Sequence, residues 1–380
     1  MEISNSNVLI TGGAGFIGSN LALKLIDMGY NVTVLDNLSE QIHGTLETSS
    51  LYQSIKDKVR FINGDVRNKL DWNRSLENQN IVVHLAAETG TGQSMYEVQK
   101  YVEVNINGTA LFLDYLVNEK HTINKVIIAS SRAIYGEGKY KCNTHGNAYP
   151  TERLEDDLLK ADFEPKCPIC NQTVETLATD EDSKIHPSSV YGITKQNQEQ
   201  MVLKVCKSIN VPAVAFRYQN VYGPGQSLKN PYTGILSIFS TQIRNGNNIN
   251  IFEDGKESRD FVYIEDVVNA TILGIEKSEA NYEVFNVGSG VATSVSEVAS
   301  KLKELYNSNI EINITKNFRL GDIRHNFADL NKIKNKLGFQ VQYDFEKGVS
   351  KFAEWVKSQD IMEDNYSKSI EEMKAKGLYK

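Results

Sequence analysis

A tyrosine and a lysine stand four residues apart in the stretch SSVYGITKQ, and this spacing can carry acid–base chemistry. Residues four apart share one face of a helix, so the phenol of Tyr191 and the ammonium of Lys195 are expected to lie side by side. A nearby ammonium favours the phenolate and lowers a phenol pKa of about 10 toward neutral pH, which makes a general base. Ser130 and Ser131 end the apolar run KVIIAS, where a hydroxyl can hydrogen-bond the oxygen that exchanges the proton.

A glycine-rich turn, TGGAGFIG, directly follows the apolar run NVLIT and opens a helical pattern. We assign Gly12 to the tight turn, Gly15 to close approach of the backbone to a pyrophosphate, and Gly18 to helix–strand packing. The same letters also satisfy a tighter spacing that begins at Gly13 and gives the same site. The turn predicts a dinucleotide site, the alternative being an ordinary strand–turn–helix.

A carboxylate at the end of the second apolar run indicates which dinucleotide binds. Asp36 lies eighteen residues after Gly18, where it would hydrogen-bond both ribose hydroxyls of an adenosine. Its charge would repel a 2′-phosphate and the following residues offer no arginine, so NAD is expected rather than NADP. Asp65, after the third run, is placed to meet the adenine, or it is an ordinary turn aspartate.

The elements that must position these residues form a repeating pattern. Short Val- and Ile-rich runs alternate with helical segments: NVLIT, NVTVLD, KVRFINGDV, NIVVHLAA, KVIIAS and VPAVAFRY. Uninterrupted apolar strands between helices predict a doubly wound α/β fold, a parallel Rossmann sheet covered on both faces. We expect an NAD-binding domain at 1–136, 187–219 and 261–288. A smaller substrate-binding lobe would take 220–260, with a helix near 234–245, and 289–380.

Composition limits the possible partners. The chain has 380 residues, 40% of them apolar, and a formal net charge of −7 without a run of basic residues, which disfavours nucleic acid or an anionic membrane as partner. No apolar run is long enough to span a bilayer, and NVLIT follows the first residues too closely for a leader segment. Four cysteines in so long a chain suggest a reducing compartment, so a cytoplasmic protein is expected.

The insert at 137–186 holds a second kind of site. KCNTHG and KCPIC place Cys142, His145, Cys167 and Cys170 in Cys-x-x-His and Cys-x-x-Cys knuckles, which fit a closed, four-coordinate structural zinc. Gly146 and Asn171 follow the knuckles, and both residue types tolerate the left-handed turn that knuckles make. The alternative is an exposed Cys-x-x-Cys loop without metal.

Taken together, the motifs resemble the extended short-chain dehydrogenase/reductase superfamily, in its nucleotide-sugar epimerase/dehydratase branch. The resemblance rests on TGGAGFIG, HLAA, VNINGT, SSRAIYG, YGITK, RYQNVYGPGQ, RDFVYIEDV and RLGDIRH, in this order. It implies a catalytic triad of Ser131, Tyr191 and Lys195. It also implies that Asn220 and Arg259 hold a nucleotide diphosphate, with help from Arg324. The predicted cofactor set is completed by Phe16, Ile17, Asn37, Val66, Leu85, Ala86, Ala87 and Asn105.

The family pattern also narrows the reaction. Its 4,6-dehydratases carry an acidic pair directly after the catalytic hydroxyl residue, because elimination of water needs an acid and a base there. This chain has Arg132 and Ala133 at those positions, and decarboxylating relatives would want a glutamate at 133. Hydride transfer at one carbon remains, as in an epimerase or a reductase, and of these we predict an NAD-dependent nucleotide-sugar 4-epimerase.

The loop AAETGTGQSMYE, the stretch NPYTGILSIF and the insert most resemble dTDP-L-rhamnose 4-epimerases. These interconvert that sugar with dTDP-6-deoxy-L-talose. The expected sugar contacts are Thr89, Gln93 and Ser94, or the loop is a polar rim without specific contacts. Alternatives are a UDP-hexose-type 4-epimerase, a 4-keto sugar reductase and, from another class, a non-enzymatic NAD-sensing Rossmann protein. The expected partners are a nucleotide-diphosphate sugar and a second copy of the chain, in a homodimer.

Overall fold

The computed structural model describes residues 6–45, 49–230, 232 and 234–380. Positions 231 and 233, inside NPYTGILSIF, therefore lie outside the described residues. The strands in chain order are β1 (Asn7–Thr11), β2 (Asn31–Asp36), β3 (Arg60–Asn63), β4 (Ile81–His84), β5 (Lys125–Ser131), β6 (Tyr140–Cys142), β7 (Gly146–Ala148), β8 (Glu175–Thr176), β9 (Ala213–Tyr218), β10 (Asn220–Tyr222), β11 (Ile249–Ile251), β12 (Ser258–Arg259), β13 (Phe261–Tyr263), β14 (Glu283–Val287), β15 (Thr293–Ser294), β16 (Ile312–Ile314) and β17 (His325–Asn326).

Helices connect most of these strands. They are α1 (Phe16–Asp27), α2 (Glu40–His43), α3 (Ser50–Ile55), α4 (Lys69–Leu76), α5 (Thr91–Ser94), α6 (Val98–Tyr101), α7 (Gly108–Asn118), α8 (Glu155–Leu158), α9 (Val190–Ser208), α10 (Ile235–Arg244), α11 (Ile264–Glu276), α12 (Val295–Leu305), α13 (Asn331–Leu337), α14 (Phe345–Ser358) and α15 (Tyr366–Ala375). A π-helical segment spans Val102–Asn107, and short 3₁₀ turns span Arg132–Tyr135 and Ser278–Ala280. No helix among the described residues is long and apolar enough to cross a membrane.

Seven parallel strands form the central sheet, in the order β14-β9-β5-β4-β1-β2-β3. Successive side chains of a strand point to opposite faces, and both faces are apolar here. Val8 and Ile10 of β1 join one core cluster, and Leu9 between them joins the other. The helices that cover these two faces make a doubly wound α/β fold, so the predicted fold class is confirmed. The predicted return of the chain to the sheet corresponds to β14, at one edge.

Smaller sheets lie outside this core. Strands β15, β12 and β17 form one, and β7, β6 and β8 form another within the insert. Arg153 of the insert meets Glu253 at 2.8 Å and donates to the carbonyl oxygen of Asp322 at 2.9 Å, and Glu164 of the insert meets the buried Arg324 at 2.7 Å. The cysteine-containing segment is therefore anchored to the segment 319–325.

Candidate active site

A cavity of about 850 Å³ runs along the carboxyl ends of β1, β2, β4, β5 and β9. Strand order reverses between β1 and β4, and open α/β sheets bind ligands beside such a reversal. Most predicted site residues line this cavity: Gly12, Gly15, Phe16, Ile17, Gly18, Asp36, Asn37, Val66, Leu85, Ala86, Ala87, Thr89, Ser131, Tyr191, Lys195 and Asn220. Six predicted residues do not line it: Asp65, Gln93, Ser94, Asn105, Arg259 and Arg324.

The glycine turn has the geometry that its sequence predicts. Gly12 has a φ of +66°, which an L side chain rarely adopts. A Cβ on Gly18 would lie 2.4 Å from the Gly12 carbonyl oxygen, so only glycine lets α1 pack this closely on the turn. The helix begins after Gly15, which has no side chain to cap the first backbone amides. Those amides and the positive end of the helix dipole therefore favour an anion at this end of the cavity.

Asp36 is held in place by backbone amides. Its carboxylate accepts hydrogen bonds from the amides of Ala14 at 3.0 Å and Leu38 at 2.9 Å. The ring of His43, which the sequence did not single out, lies 3.6 Å from the same carboxylate and lines the same cavity. The acid is thus rigidly placed between the glycine turn and α2.

Two predicted cofactor residues lie behind the cavity wall. Asp65 pairs with Arg67 at 2.8 Å. Partial burial opposes its ionisation, but the hydrogen bonds from Arg67 outweigh burial and hold the pKa of Asp65 below its ordinary value. Asn105 lies in the π-helical segment and is fully buried. Its amide exchanges hydrogen bonds with the backbone of Glu88 and donates to Thr194 at 2.9 Å, joining the loop after β4 to α9.

Ser131 and Tyr191 meet at the centre of the cavity. Helix α9 begins after Ser189, whose hydroxyl caps the amide of Gly192, and Tyr191 lies in its first turn. Burial raises the pKa of Tyr191, while a hydrogen bond from Ser131 and the charge of Arg132 act in the opposite direction. The sequence predicted that the charge of Lys195 lowers this pKa. In the structure the lowering comes from Ser131 and Arg132, and burial exceeds it.

Lys195 is nearly fully buried and is held by an amide. Its ammonium donates to Gln198 Oε1 at 2.8 Å, and Gln198 in turn donates to Thr109 at 2.9 Å. Thr109 lies 3.0 Å from the ring of His84, so a buried polar network supports the lysine. Burial lowers the pKa of Lys195 to about 7, against the opposing effect of Glu199. The lysine therefore titrates near neutral pH.

Only part of the predicted sugar-binding loop lines the cavity. Thr89 lines the cavity, but Gln93 and Ser94 are buried in α5 and have protein partners. Gln93 accepts from Gln41 at 3.1 Å, and Ser94 accepts from the amide of Tyr191 at 3.0 Å. These two side chains help to fix the loop and the start of α9.

A second cavity, of about 190 Å³, adjoins the first and contains three arginines: Arg132, Arg259 and Arg319. Arg259 and Arg319 share the carboxylate of Asp322, at 3.1 Å and 2.6 Å. The Nε of Arg319 is buried without a hydrogen-bond partner among the described residues. Apolar and aromatic side chains, including Phe252, complete the walls. The sequence had singled out only Arg259 as a ligand in this group.

Arg324 lies elsewhere. Its side chain is fully buried and lines neither cavity. Its guanidinium pairs with Glu164 at 2.7 Å, Glu253 at 2.9 Å and Asp254 at 2.7 Å. RLGDIRH contains two arginines, and the first of them, Arg319, is the one that lines the second cavity. No pattern in the sequence separates the two, because the difference depends on Glu164 in the distant insert.

The four cysteine and histidine side chains of the insert converge. The ligand atoms of Cys142, His145, Cys167 and Cys170 all lie within 4.8 Å of one another. Gly146 and Asn171 have φ angles of +73° and +58°, the left-handed turns expected after each knuckle. The insert contributes no residue to either cavity among those described.

The family model for the NAD dependent epimerase/dehydratase family matches residues 8–154 and 169–288, well over half of the chain. The chain belongs to this family. The unmatched residues 155–168 fall in the insert. The chain is 34% identical over 356 residues to the dTDP-L-rhamnose 4-epimerase of Burkholderia thailandensis. The alignment covers 93% of this chain and 96% of that protein.

Solved structures give the same assignment for this epimerase/dehydratase family member. The UDP-glucose 4-epimerase of Thermotoga maritima, with UDP-glucose, has a TM-score of 0.75 at 30% identity, covering 92% of this chain and 98% of that one. The UDP-glucuronic acid 4-epimerase of Bacillus cereus, with UDP-glucuronic acid and NAD, has a TM-score of 0.76 at 27% identity, covering 92% and 99%. The family and the class of enzyme predicted from the sequence are confirmed.

Proposed function

We propose that this protein is an NAD-dependent nucleotide-sugar 4-epimerase. One observation carries the proposal: a single cavity joins the glycine turn and Asp36 to the Ser131–Tyr191 pair, and it adjoins a second, arginine-lined cavity. A cofactor site and a site for an anionic ligand thus meet at a general base. The relatives of known activity that match over the full length are consistent with it.

The residues present fit NAD. The amides at the start of α1 and the bare backbone of Gly15 suit a pyrophosphate, and Asp36 suits the ribose hydroxyls of an adenosine. Leu85, Ala86 and Ala87 offer an apolar wall beside them. The fixed negative charge of Asp36 disfavours the 2′-phosphate of NADP. Asp65 and Asn105, which lie behind the wall, would act on the cofactor only through the loops that they support.

The chemistry follows from the positions of the side chains. Bound NAD would supply an acceptor for the C4 hydride of the sugar and a donor of that hydride to the opposite face. Tyr191 takes the proton of the C4 hydroxyl as that hydride leaves, and it gives the proton back when the hydride returns. Ser131 hydrogen-bonds the same oxygen, and Arg132 supplies positive charge near the phenolate. The 4-keto sugar turns about its diphosphate between the two transfers, so no net oxidation occurs.

The second cavity suits the nucleotide half of the substrate. Arg319 pairs with Asp322 and keeps a buried Nε without a partner among the described residues. The terminal nitrogens of Arg259 already donate to Asp322 and to the carbonyl oxygens of Ser258, Ile323 and Arg324, so Arg259 offers a diphosphate mainly its positive charge. Asn220 lines both cavities, and its side-chain oxygen is buried without a hydrogen-bond partner among the described residues. We assign the sugar to the side of Tyr191 and the nucleoside to the side of Phe252.

For the substrate we favour dTDP-L-rhamnose, converted to dTDP-6-deoxy-L-talose. The similarity to the Burkholderia dTDP-L-rhamnose 4-epimerase supports this choice. Arg132 and Ala133 stand where water elimination would need an acid and a base, which argues against a 4,6-dehydratase. A UDP-hexose is the second candidate, favoured by the similarity to the Thermotoga enzyme.

We also propose one structural zinc in the insert. Zn–S bonds of about 2.3 Å and Zn–N bonds of about 2.0 Å place two tetrahedral sulfurs about 3.8 Å apart, and a sulfur and a nitrogen about 3.5 Å apart. Cys142 Sγ lies 3.7 Å from Cys170 Sγ and 3.6 Å from His145 Nδ1, and Cys167 Sγ also lies 3.6 Å from that nitrogen. Backbone amides of the knuckles lower the pKa of Cys142 and Cys167, which favours the thiolates that bind metal.

We also propose that the chain forms a homodimer, is divided into two lobes and an insert, and is located in the cytoplasm. For the dimer, Val98 on α6 and Ile193 on α9 are exposed apolar residues, and these two helices pack together. Such a surface is a common site of self-association. Analytical ultracentrifugation of the purified chain tests it.

The function is tested by incubating purified protein with a panel of nucleotide sugars and following the products by proton NMR. A C4 epimer without accumulation of NADH supports the proposal. Stoichiometric consumption of NADH with a 4-keto sugar would instead indicate a reductase. No turnover of any nucleotide sugar, with NAD bound, would indicate a non-enzymatic NAD-binding protein.

A further inference from the structure

Arg132 occupies the junction between the two cavities. It directly follows the catalytic Ser131, at the start of the 3₁₀ turn that ends β5. It lines the large cavity together with Tyr191 and the small cavity together with Arg259 and Arg319. Arg132 and Asn220 are among the residues that line both cavities, so a ligand that spans the two cavities lies beside them.

The guanidinium of Arg132 has no hydrogen bond or ion pair to any of the described residues. Two arginines that are buried, in contrast, are compensated: Arg217 pairs with Glu199 at 2.6 Å, and Arg324 has several carboxylates around it. Burial, together with the neighbouring charge of Arg259, lowers the pKa of Arg132 to about 10, so it remains charged at neutral pH. Arg132 is only partly buried and lines both cavities, so its unpaired charge faces the space that an anionic ligand would fill.

The small cavity is lined by an excess of positive charge. Three guanidinium groups line the cavity, and Asp322 is the carboxylate that pairs with two of them, Arg259 and Arg319. Glu253 also lines the cavity, but it is paired with Arg153 and Arg324. Burial raises the pKa of Glu257, the remaining acid there, to about 7, so it offsets only part of the excess.

We propose that Arg132 binds the phosphate nearest the sugar in the nucleotide sugar, at the point where the substrate crosses from one cavity to the other. The inference rests on the proposed function and adds a specificity-determining residue to it. A bound diphosphate would carry about two negative charges between Arg132, Arg259 and Arg319, and it would relieve the repulsion between the first two. A carboxylate on the sugar itself is less well placed, because Arg132 also faces the nucleotide cavity.

The test uses the NAD-bound protein and measures the binding of dTDP, UDP and the nucleosides thymidine and uridine by calorimetry. We expect Arg132→Gln to weaken nucleoside diphosphate binding about tenfold to a hundredfold, as for the loss of a charge-assisted hydrogen bond, and to leave nucleoside binding unchanged. The KM for the nucleotide sugar should rise by a similar factor. Arg132→Lys should recover part of the affinity, because a lysine keeps the charge without the bidentate geometry. The matched control is Arg60→Gln, an exposed arginine, which should bind all four ligands as the unaltered protein does.

Unchanged dTDP and UDP affinity in folded Arg132→Gln would overturn the inference. Weakened binding of a nucleotide hexuronate alone would also overturn it, since the anion would then be the sugar carboxylate. If Arg132→Gln does not fold, Arg132→Lys must still lose affinity, and wild-type affinity in that variant is a negative result. An unaltered protein that binds neither diphosphate contradicts the proposed function itself, whereas normal binding that ignores Arg132 contradicts only this inference.

Discussion

At the scale of single residues, burial and two neighbouring groups set the pKa of Tyr191. Burial raises the pKa of this phenol, and the groups that act against burial are the hydroxyl of Ser131 and the charge of Arg132. Lys195 lies in the same cavity, but burial lowers its own pKa to about 7. The pKa of the proposed general base is therefore set by its burial, by Ser131 at the end of β5 and by Arg132 in the turn after it.

Replacement of the phenol tests its role directly. Tyr191→Phe removes the only proton acceptor proposed for the C4 hydroxyl, so turnover should fall by about 10²- to 10⁴-fold, while NAD remains bound. Steady-state kinetics and the absorbance of bound cofactor measure the two quantities. Tyr282→Phe, at a tyrosine 41% exposed, is the control and should be fully active. Undiminished turnover in Tyr191→Phe would argue for a different base.

Arg132 should also affect the pH dependence of kcat. Its positive charge favours the phenolate of Tyr191, so Arg132→Gln should raise the pKa of that phenol. Activity that depends on the ionised phenol rises with pH, and the rising limb of kcat should therefore move to higher pH in the variant. Saturating substrate separates this effect from weakened binding. A limb that stays in place while KM rises would leave Arg132 with a role in binding only.

At the scale of elements, the insert and the segment 319–325 stabilise each other. Arg153 and Glu164 reach out of the insert to Glu253 and Arg324, and Arg153 also donates to the carbonyl oxygen of Asp322 at 2.9 Å. Asp322 in turn fixes the two cavity arginines. The insert thus supports the nucleotide-binding cavity from behind, although none of its described residues lines that cavity.

The two arginines of RLGDIRH should behave in opposite ways. Arg324→Met leaves several buried carboxylates without their partner, so the free energy of unfolding should fall by about 3 to 5 kcal/mol. The folded variant should bind dTDP or UDP within about twofold of the unaltered protein, because Arg324 lines neither cavity. Arg319→Met should lose affinity with a smaller loss of stability. Urea unfolding and calorimetry measure both quantities, and the reverse pattern would restore Arg324 as the phosphate ligand.

The zinc proposal makes a second prediction at this scale. Protein purified without chelator should contain about one zinc per chain, and Cys167→Ser should lose the metal and unfold at lower temperature, because ligand loss removes binding energy that supports folding. Activity below that temperature should largely remain, since the insert lines neither cavity. Cys206→Ala, a buried cysteine outside the cluster, should keep its zinc. Elemental analysis that finds no metal would contradict the proposal.

At the scale of the whole molecule, the two cavities together define the reaction. The large cavity holds the base and the predicted cofactor site, and the small one holds the charges for a diphosphate. In the proposed reaction the sugar is tethered by its nucleotide while its C4 carbon faces Tyr191. This arrangement permits a 4-keto sugar to turn without leaving, which is what epimerisation requires.

The products report on this arrangement. Incubation with dTDP-L-rhamnose should yield its C4 epimer with no net NADH and with a C4 deuterium label retained, because the hydride does not leave the protein. Incubation with dTDP-glucose should give no 4-keto-6-deoxy product, since neither Arg132 nor Ala133 can serve as the acid and base of water elimination. Proton NMR and mass spectrometry follow both reactions. Formation of the 4-keto-6-deoxy product at the epimerisation rate would rule out this interpretation.

The sequence by itself determined the features that depend on neighbours along the chain. Apolar runs between helical patterns gave the parallel sheet, TGGAGFIG gave the turn with Gly12 in a left-handed conformation, and the knuckle spacing led to four converging ligand atoms. Each of these features depends on backbone geometry that residues close together in the sequence determine. Such geometry is fixed locally, so the printed letters are sufficient to predict it.

Only the tertiary structure decided where the charged side chains lie in the fold. Arg319 and Arg324 are five residues apart in one motif, yet one faces the cavity and the other is buried against Glu164, 160 residues away. Asp65 and Asn105 turn away from the cavity toward Arg67 and Glu88, and Arg132 is left without a partner at the junction of the two cavities. The energy of a buried charge depends on the groups that surround it in space, and these come from segments that no local pattern brings together.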